Sequence, residues 1–333
     1  MSTANIAILS TGHVHAKMFI ENTMKSADGR KVTHIWDDVA ERGKKYAALC
    51  GAAFEPDIDK VIADPSIHGF IICKENTQHL PLLEKAIRTG KPVMLEKPLV
   101  TTTADLAAVK KLHAHYPAPL FCGYVLPFSG SMKAVAALVN AGAFGDILRV
   151  KFRNSQAAAY NRMFDEPERA WLHDPKLAGG GALQDGGQQA VHLLLSLFGP
   201  VKEVWACIRN ESGVYPRVED FGIAHLKFAS GVMGTIEVGW TQTGGIGGIE
   251  ISGSKSTLWN DGRRYVMGTT GGEAKAVTDL DEDPVRVDRL AAAIRGELTE
   301  EVLAKDFEAI CGTVAVLEAM YTSAAQGTWV KVR

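Results

Sequence analysis

Residues 93–99 read Val-Met-Leu-Glu-Lys-Pro-Leu, an apolar run that ends in an acid, a base and a proline. The run is continuous rather than alternating, which is typical of a strand buried on both faces of a parallel sheet. Glu96 and Lys97 therefore follow the carboxyl end of a predicted strand. Open parallel sheets bind their ligands at that end of the strands. The pair indicates a functional site, with a surface Glu–Lys pair as the alternative.

Apolar runs and helical patterns alternate through the first third of the chain. Residues 77–90 and 101–116 carry apolar stripes at helical spacing, and Thr77 and Gly90 are suited to start and end the first of these helices. Strand and helix in alternation predict right-handed crossovers and a doubly wound parallel α/β sheet. The other predicted strands are Ile6–Leu9, Thr33–Trp36, Gly69–Cys73 and Leu120–Cys122.

The pattern changes after about residue 145. Longer strands with one polar face follow, as where Ile236, Val238 and Trp240 alternate with less apolar residues, and glycine-rich turns separate the later strands. This predicts a second, α+β domain with a large antiparallel or mixed sheet that has one face to cover. The predicted domains are residues 1–123 and 124–333, the covering helices lie near 131–142, 186–198 and 299–326, and residues 269–284 form a surface loop.

Composition excludes several classes of protein. The chain has 333 residues, 46% of them hydrophobic, and a formal net charge of -2. This balance gives no reason to expect a nucleic acid or an acidic membrane as partner, and no apolar run approaches the roughly 20 residues of a membrane span. Five scattered cysteines and an N-terminus without a signal-peptide pattern favour a cytoplasmic protein with reduced thiols.

The first predicted strand ends in a turn where a dinucleotide fingerprint would lie. In that fingerprint, three glycines shape the turn and admit a pyrophosphate at the start of a helix. Here only Gly12 matches; Ser10 replaces the first glycine and His15 the third. We expect Ser10, Gly12, His13 and Val14 to contact the cofactor, and the alternative is a plain strand-to-helix turn.

Asp37 strengthens the nucleotide hypothesis. It ends the second predicted strand, about 20 residues beyond the glycine turn, where an acidic side chain holds the adenosine ribose. A carboxylate there repels a 2′-phosphate, so NAD is the preferred cofactor and NADP stays possible. A solvated aspartate at a strand end is the alternative.

Two His-x-His pairs raise the question of a metal. His13 with His15, and His113 with His115, would each need a third ligand, and no nearby HxxxH or CxxC motif supplies one. Packing and backbone roles are therefore favoured, and no metal is predicted.

In order along the chain, these motifs resemble the glucose–fructose oxidoreductase and inositol dehydrogenase family, and the resemblance covers nearly the whole length. Glu96-Lys97-Pro98 and the stretch from Gly179 to Asp185, Gly-Gly-Gly-Ala-Leu-Gln-Asp, are its most specific parts. The other matching stretches are Gly12, Asp37, residues 76–79 (Asn-Thr-Gln-His), Gly123-Tyr124, residues 141–147 and residues 324–330.

The resemblance implies a Rossmann domain followed by an open-faced sheet domain, which such proteins often use to form homodimers or homotetramers. It also implies NAD- or NADP-dependent redox chemistry on sugars, polyols or their derivatives. Lys97 would be the acid/base residue and Glu96 would position the nicotinamide, with Asn76 and His79 at the cofactor site. The Lys97–Pro98 bond is often cis in this family. A lysine desolvated at the ligand edge can lose its proton near neutral pH.

The second family signature is only partly kept. Asp185 is present, whereas Gln189 stands for the usual histidine and His192 for the final aspartate. On an α-helix all three would lie near one face. Glutamine can hydrogen-bond a hydroxyl but cannot titrate. We expect Asp185, Gln189 and His192 in the catalytic site, with a core role as the alternative for His192.

The predicted substrate pocket also departs from the family. Tyr124 is followed by the apolar residues 125–128 rather than by a charged donor, and Trp171 is placed to form a wall. Together with Asp185 and Gln189, these residues predict a substrate with fewer hydroxyl groups than inositol, or one held differently.

Three other functions stay open. An NAD-dependent glycosidase of the same family would turn over without net NADH formation. A nucleotide-binding regulator that has lost the reaction is favoured by Gln189 and opposed by Lys97 and Asp185. A scaffold subunit would have no cofactor and a blocked cleft.

Overall fold

The computed structural model describes residues 4–333; residues 1–3, with which the predicted first domain begins, lie outside it. The chain divides into two compact units. The first contains the residues up to Tyr124, Pro167–Trp171 and Pro284–Cys311, and the second contains Val125–Glu166, Leu172–Asp283 and Gly312–Arg333.

The first unit runs to Tyr124, and the chain returns to it twice later on; the predicted division at 123/124 stays a prediction. In the second return, Val287 and Leu290 are buried in the core of the first unit. Asp288 forms an ion pair with Arg30, with 2.5 Å between Nη1 and Oδ1. Nothing in the local sequence of 167–171 and 284–311 shows which core these segments join.

The first unit is built on a six-stranded parallel sheet, as predicted for a Rossmann domain. The strand order is β3-β2-β1-β4-β5-β6, so the order reverses between β1 and β4. Ligands of such sheets bind at this reversal, outside the carboxyl ends of the strands. The strands are β1 (Ala4–Leu9), β2 (Arg30–Trp36), β3 (Ala53–Phe54), β4 (Gly69–Ile72), β5 (Val93–Leu95) and β6 (Leu120–Cys122).

Helices connect these strands. Thr102 caps the last of them, since its Oγ1 accepts a hydrogen bond of 3.1 Å from the Asp105 amide. Thr77 lies instead in a 3-10 turn, Asn76–Gln78, and the cap of the α-helix is Gln78, so the helix begins one residue later than a cap at Thr77 requires. The helices are α1 (His15–Lys25), α2 (Ala40–Cys50), α3 (Ile58–Ala63), α4 (His79–Ile87) and α5 (Thr103–His115).

The second unit contains a nine-stranded sheet in the order β14-β13-β12-β11-β7-β10-β9-β8-β15. β7 and β10 run parallel, whereas the other neighbours are antiparallel, so the sheet is mixed. The elements of this unit are α6 (Gly130–Asn140), β7 (Ile147–Ser155), α7 (Pro175–Ala178), α8 (Gln188–Phe198), β8 (Val201–Arg209), β9 (Phe221–Phe228), β10 (Met233–Gly239), β11 (Gly248–Gly253), β12 (Thr257–Asn260), β13 (Tyr265–Gly268), β14 (Lys275–Ala276) and β15 (Val330–Lys331). Of the two remaining helices, α9 (Val287–Ile294) belongs to the first unit, and α10 (Glu300–Gln326) begins in the first unit and continues in the second from Gly312.

One face of the nine-stranded sheet is buried. Phe152, Ile236 and Leu226 point from it into a core that includes Leu193 and Leu194 of α8. The predicted surface loop 269–284 is irregular except for β14, and most of it is exposed. Across residues 4–333, the helices are all too short or too polar to span a bilayer.

Candidate functional site

The turn after β1 has the backbone conformation of a glycine-rich dinucleotide-binding turn, although Ser10 replaces the first glycine. Ser10 has φ 70°, in the left-handed region that glycine adopts most easily. Its Oγ accepts a hydrogen bond of 3.1 Å from the Gly12 amide, and its own amide donates to the carbonyl of Trp36 at 2.7 Å. The His13 amide donates to the Cys73 carbonyl. The turn is therefore pinned between the ends of β2 and β4, where the strand order reverses.

Gly12 leaves room that another residue would fill. A Cβ placed on it would lie 3.0 Å from Oε1 of Glu75. A carboxylate therefore lies where the fingerprint glycine normally admits a phosphate near the start of α1. The Glu75 carboxylate itself opposes an anion, so the feature here that favours the pyrophosphate of a dinucleotide is the start of α1.

Asp37 is buried at the end of β2. Oδ2 accepts hydrogen bonds from the amide and hydroxyl of Thr11, both 2.7 Å, and Oδ1 accepts from the Val39 amide at 2.8 Å. Nε and Nη2 of Arg42 donate to the two oxygens at 3.0 and 2.8 Å. Burial alone would raise the pKa of Asp37, but the bonds from Arg42 and Thr11 outweigh it and lower that pKa. Asp37 is therefore a carboxylate at neutral pH.

Glu96 and Lys97 lie at the carboxyl end of β5, as predicted, and the Lys97–Pro98 bond is cis. Both are buried: Glu96 has no exposed surface and Lys97 retains 8%. Oε1 of Glu96 lies 3.1 Å from Nδ1 of His15, whose side chain is 32% exposed. This burial removes the alternative of a solvated surface pair.

Burial affects the protonation of the groups around Glu96. It lowers the pKa of His13 to about 3, so His13 is neutral at pH 7. Nδ1 of His13 accepts the His15 amide at 3.1 Å, which places its proton on Nε2. Burial would raise the pKa of Glu96, but His13, His15 and Lys97 together lower it to about 2. Because His13 is neutral, His15 and Lys97 stabilise the Glu96 carboxylate at neutral pH.

These three residues also form a possible ligand set. The donor atoms of His13, His15 and Glu96 lie within 4.8 Å of one another, so Glu96 is the third group that the sequence did not reveal. Two imidazoles and a carboxylate suit zinc or iron. However, Nδ1 of His13 already accepts an amide and His15 already contacts Glu96. We infer that the two histidines serve to position Glu96. The absence of a metal at this cluster stays a prediction.

Of the other predicted residues of the first unit, Trp171 contacts this cluster. Trp171 packs edge-on against His13, with ring centroids 5.4 Å apart, and its buried Nε1 meets no acceptor among residues 4–333. Val14 is half-buried, whereas Asn76 and Tyr124 are buried. Their contacts with cofactor or substrate stay predictions.

His79 is wholly buried beneath two loops. Its ring nitrogens lie 2.7 Å from the Pro98 carbonyl and 3.0 Å from the Lys74 carbonyl. It therefore ties the loop after β4 to the loop that carries Lys97. Any effect of His79 on a cofactor would pass through these two loops.

In the second unit, Asp185 lies in a π-helical turn, Leu183–Gly187, which continues into α8. Nε1 of Trp240 donates to Oδ2 of Asp185 at 3.2 Å. Such turns add a residue to the helical repeat and occur often at functional sites. The α-helical spacing that placed Asp185, Gln189 and His192 on one face therefore does not hold across it; only Gln189 and His192 share regular helix.

Several residues of these sites were not predicted. Arg42, Glu75 and Lys74 surround Asp37 and Gly12, and Glu219 accepts the amides of Gly181 and Leu183 at 2.8 and 3.2 Å. The one signal in the sequence was that Glu75 follows β4 and that Arg42 lies in the first turn of the helix after β2.

Comparison with known proteins agrees with this architecture. Residues 4–124 match the profile described as an oxidoreductase family with an NAD-binding Rossmann fold, and residues 132–259 match the GFO/IDH/MocA C-terminal domain. An uncharacterised oxidoreductase of Rhizobium meliloti is 23% identical and covers 99% of both chains. The 1,5-anhydro-D-fructose reductase of Ensifer adhaerens is 23% identical over 70% of this chain and 68% of its own.

A solved structure has the same fold. Levoglucosan dehydrogenase, in complex with NADH and levoglucosan, superposes with a TM-score of 0.82 at 19% identity and covers 99% of this chain and 100% of its own. With a Rossmann unit, a buried Glu-Lys-Pro motif and both family domains in sequence order, the chain belongs to the GFO/IDH/MocA family of NAD-binding oxidoreductases.

Proposed function

We propose that the protein transfers a hydride between a nicotinamide cofactor and a secondary alcohol or ketone of a sugar, polyol or sugar derivative, with Lys97 as the acid/base residue. The observation that carries this proposal is the buried Glu96–Lys97 pair at the carboxyl end of β5. A lysine shielded from water at this edge is suited to exchange a proton with a bound hydroxyl group.

The residues of the first unit suit a dinucleotide. The backbone at Ser10 and the start of α1 form a place for an anion, and Asp37 orders the loop beside it. The pyrophosphate of the dinucleotide would contact Ser10, Gly12, His13 and Val14. The rest of the dinucleotide would contact Asn76 and Glu96. When bound, such a cofactor would supply the acceptor for a hydride from the carbon that carries the substrate hydroxyl group.

The protein itself manages the proton. In the oxidation, Nζ of Lys97 accepts the hydroxyl proton as the carbon–hydrogen bond breaks, and in the reduction it returns a proton to the carbonyl oxygen. Glu96 is a carboxylate that stabilises the resulting ammonium, and its contact with His15 fixes its position. His13 is neutral and therefore adds no competing positive charge.

The proposed class of substrate is supported by the names of two similar proteins. Their names refer to an anhydro sugar and to levoglucosan. In this chain Asp185 and Gln189, with Tyr124 and Trp171, are the proposed substrate contacts, and Gln189 can hold a hydroxyl group without taking its proton. We propose a sugar derivative with few free hydroxyl groups, and His192 as a supporting residue of the same helix.

NAD is the proposed cofactor in preference to NADP. Asp37, Asp38 and Glu75 place three carboxylates near Gly12 and the end of β2, against the cations of Arg42 and Lys74. One net negative charge remains, which opposes a 2′-phosphate.

A panel of sugars and anhydro sugars assayed for NADH formation tests the proposal. We expect Lys97→Ala to lose at least about 100-fold in turnover, the usual contribution of a general acid or base. Its dissociation constant for NADH should change less than about threefold. Lys60→Ala, which removes an exposed lysine of α3, is the control. Equal turnover in Lys97→Ala and wild type would reject the role of Lys97. Substrate loss without NADH formation would indicate the glycosidase instead.

A further inference from the structure

The carboxylate expected to hold the ribose has no free acceptor position. Asp37 accepts five hydrogen bonds, from Thr11, Val39 and Arg42, and its side chain has no exposed surface. A carboxylate has about four lone-pair positions, so these bonds saturate it. Asp37 therefore orders the turn after β1 and holds Arg42. Discrimination between cofactors must come from the charged side chains around it.

Arg42 is the side chain of this group best suited to a phosphate. A guanidinium presents a planar fork of donors that matches phosphate oxygens, and an arginine near the second strand accommodates the 2′-phosphate in NADP-binding Rossmann domains. Here the fork is occupied by carboxylates. Nη2 lies 2.8 Å from Asp37 and 3.2 Å from Asp38, and Nη1 lies 3.6 Å from Glu75.

Glu75 is the one of these carboxylates that comes from a different strand end. It follows β4, its side chain is 12% exposed, and Oε2 lies 2.9 Å from Nζ of Lys74. Lys74 in turn contacts both oxygens of Asp38 at 2.8 Å. Burial would raise the pKa of Glu75, but Lys74 and Arg42 lower it, so the group is ionised at neutral pH.

We propose that Glu75 is a specificity-determining residue: it keeps Arg42 engaged and adds negative charge beside the turn after β1, and so selects a dinucleotide with a free 2′-hydroxyl over one with a 2′-phosphate. The inference rests on the proposed function only in requiring that a nicotinamide dinucleotide binds this turn. If Glu75 is made neutral, two carboxylates (Asp37 and Asp38) and two cations (Arg42 and Lys74) remain, so the net charge of the group changes from -1 to zero. Arg42 then loses one of its partners and can turn toward a phosphate.

Binding of NADH and NADPH to the full chain, without substrate, tests this by titration of nicotinamide fluorescence or by calorimetry. In Glu75→Gln we expect the NADPH dissociation constant to fall at least tenfold and that for NADH to change less than threefold. Glu41→Gln is the matched control, because it removes one carboxylate from α2 that contacts Lys44 at 3.1 Å and not Arg42. That control should leave the ratio of the two constants unchanged.

A second pair of variants tests whether Arg42 binds the 2′-phosphate. In the Glu75→Gln background, Arg42→Lys keeps the charge and loses the fork, and Arg42→Ala loses both, so each should cancel most of the gain for NADPH. Thermal unfolding shows whether these variants fold, and Arg42→Lys remains informative if Arg42→Ala does not.

Three results would overturn the inference: an unchanged ratio in Glu75→Gln, an equal shift in Glu41→Gln, or a gain that persists without Arg42. Weaker NADH binding in Glu75→Gln would also overturn it, since Glu75 would then be a ligand of the ribose. Wild-type protein that binds neither dinucleotide would refute the proposed function itself. Tight NADH binding without turnover on any sugar would affect the proposed reaction and leave the role of Glu75 standing.

Discussion

At the scale of single residues, His13 shows how burial makes the fold sensitive to acid. Its pKa is about 3 in the folded protein, whereas an exposed histidine titrates near 6.5. Between these values the unfolded chain binds the proton and the folded protein does not. Stability therefore falls as the pH falls from about 6.5 to 3, by up to about 1.4 kcal/mol per pH unit. Glu96 acts in the same direction in a lower window, from about 4.5 down to 2.

Urea unfolding at pH 6.5, 6.0, 5.5 and 5.0 separates His13 from the carboxylates. We expect His13→Gln to reduce the slope of the free energy of unfolding against pH by about 1 kcal/mol per unit, whatever its effect on stability at one pH. His115→Gln, at an exposed position of α5, should keep the wild-type slope. A wild-type slope in His13→Gln would mean that His13 takes up its proton in the folded protein.

The site could be predicted where its residues lie together in the sequence, and not where strands bring them together. Glu96 and Lys97 were found because an acid and a base directly after an apolar run are conspicuous. The partners of Gly12 and Asp37 were missed, since Glu75 and Arg42 are ordinary charged residues until β4 and α2 bring them to the same turn. Likewise, nothing local to His15 indicates its contact with Glu96.

At the scale of elements, the π-helical turn before α8 is supported from outside the helix. Oε1 of Glu219 accepts the amides of Gly181 and Leu183 and also the hydroxyl of Tyr321 at 2.7 Å. At the other end of the turn, Nδ2 of Asn154 donates to the Gly186 carbonyl at 3.1 Å. These bonds satisfy backbone groups that the irregular turn would otherwise leave without partners.

Removal of the Glu219 carboxylate should therefore weaken this element. We expect Glu219→Ala to lower the free energy of unfolding by about 2 kcal/mol, since it leaves partly buried donors unsatisfied. Glu219→Gln keeps an acceptor oxygen and should cost less than about 1 kcal/mol. Glu211→Ala, at an exposed site of the same loop, is the control for chemical unfolding. A loss in Glu211→Ala as large as in Glu219→Ala would show that the hydrogen bonds at the π turn contribute little.

Periodicity predicted the regular elements well and the irregular ones poorly. The five apolar runs of the first third all form strands, and four of them are almost wholly buried, which leaves a strong local pattern; the run in β2 is only partly buried. The short strands Ala53–Phe54 and Lys275–Ala276 are too brief to show a period. The π turn was missed for a different reason: it depends on Glu219 and Asn154, which are distant in sequence, and the apolar pattern of Leu183 onward is equally consistent with a regular α-helix.

At the scale of the whole molecule, the nine-stranded sheet has a face that its own unit leaves partly open. Along β9, Ile223 and His225 are half-buried, whereas their neighbours Ala224 and Leu226 point into the core. Trp205 stacks on His225 with ring centroids 5.6 Å apart. Aromatic side chains such as these are enriched at surfaces between protein subunits. We propose that the protein forms a homodimer or homotetramer through this face.

A charged substitution in the middle of this face tests the proposal. Ile223 is half-buried and lies opposite Glu237 in the pairing of β9 with β10, and Glu237 forms an ion pair with Arg153 at 2.9 Å. A lysine at 223 can extend its ammonium group into water beside this pair, so the sheet should tolerate it. Between two subunits, the added charges would be buried at the cost of their hydration. We therefore expect Ile223→Lys to lower the mass measured by light scattering during gel filtration to that of a 35.9 kDa monomer, with little change in thermal stability of the monomer.

Met24→Lys, at an exposed position at the end of α1 in the first unit, should keep the wild-type mass. An Ile223→Lys protein that keeps the wild-type mass, or a wild type that is already monomeric at micromolar concentration, would show that subunits do not associate through this face.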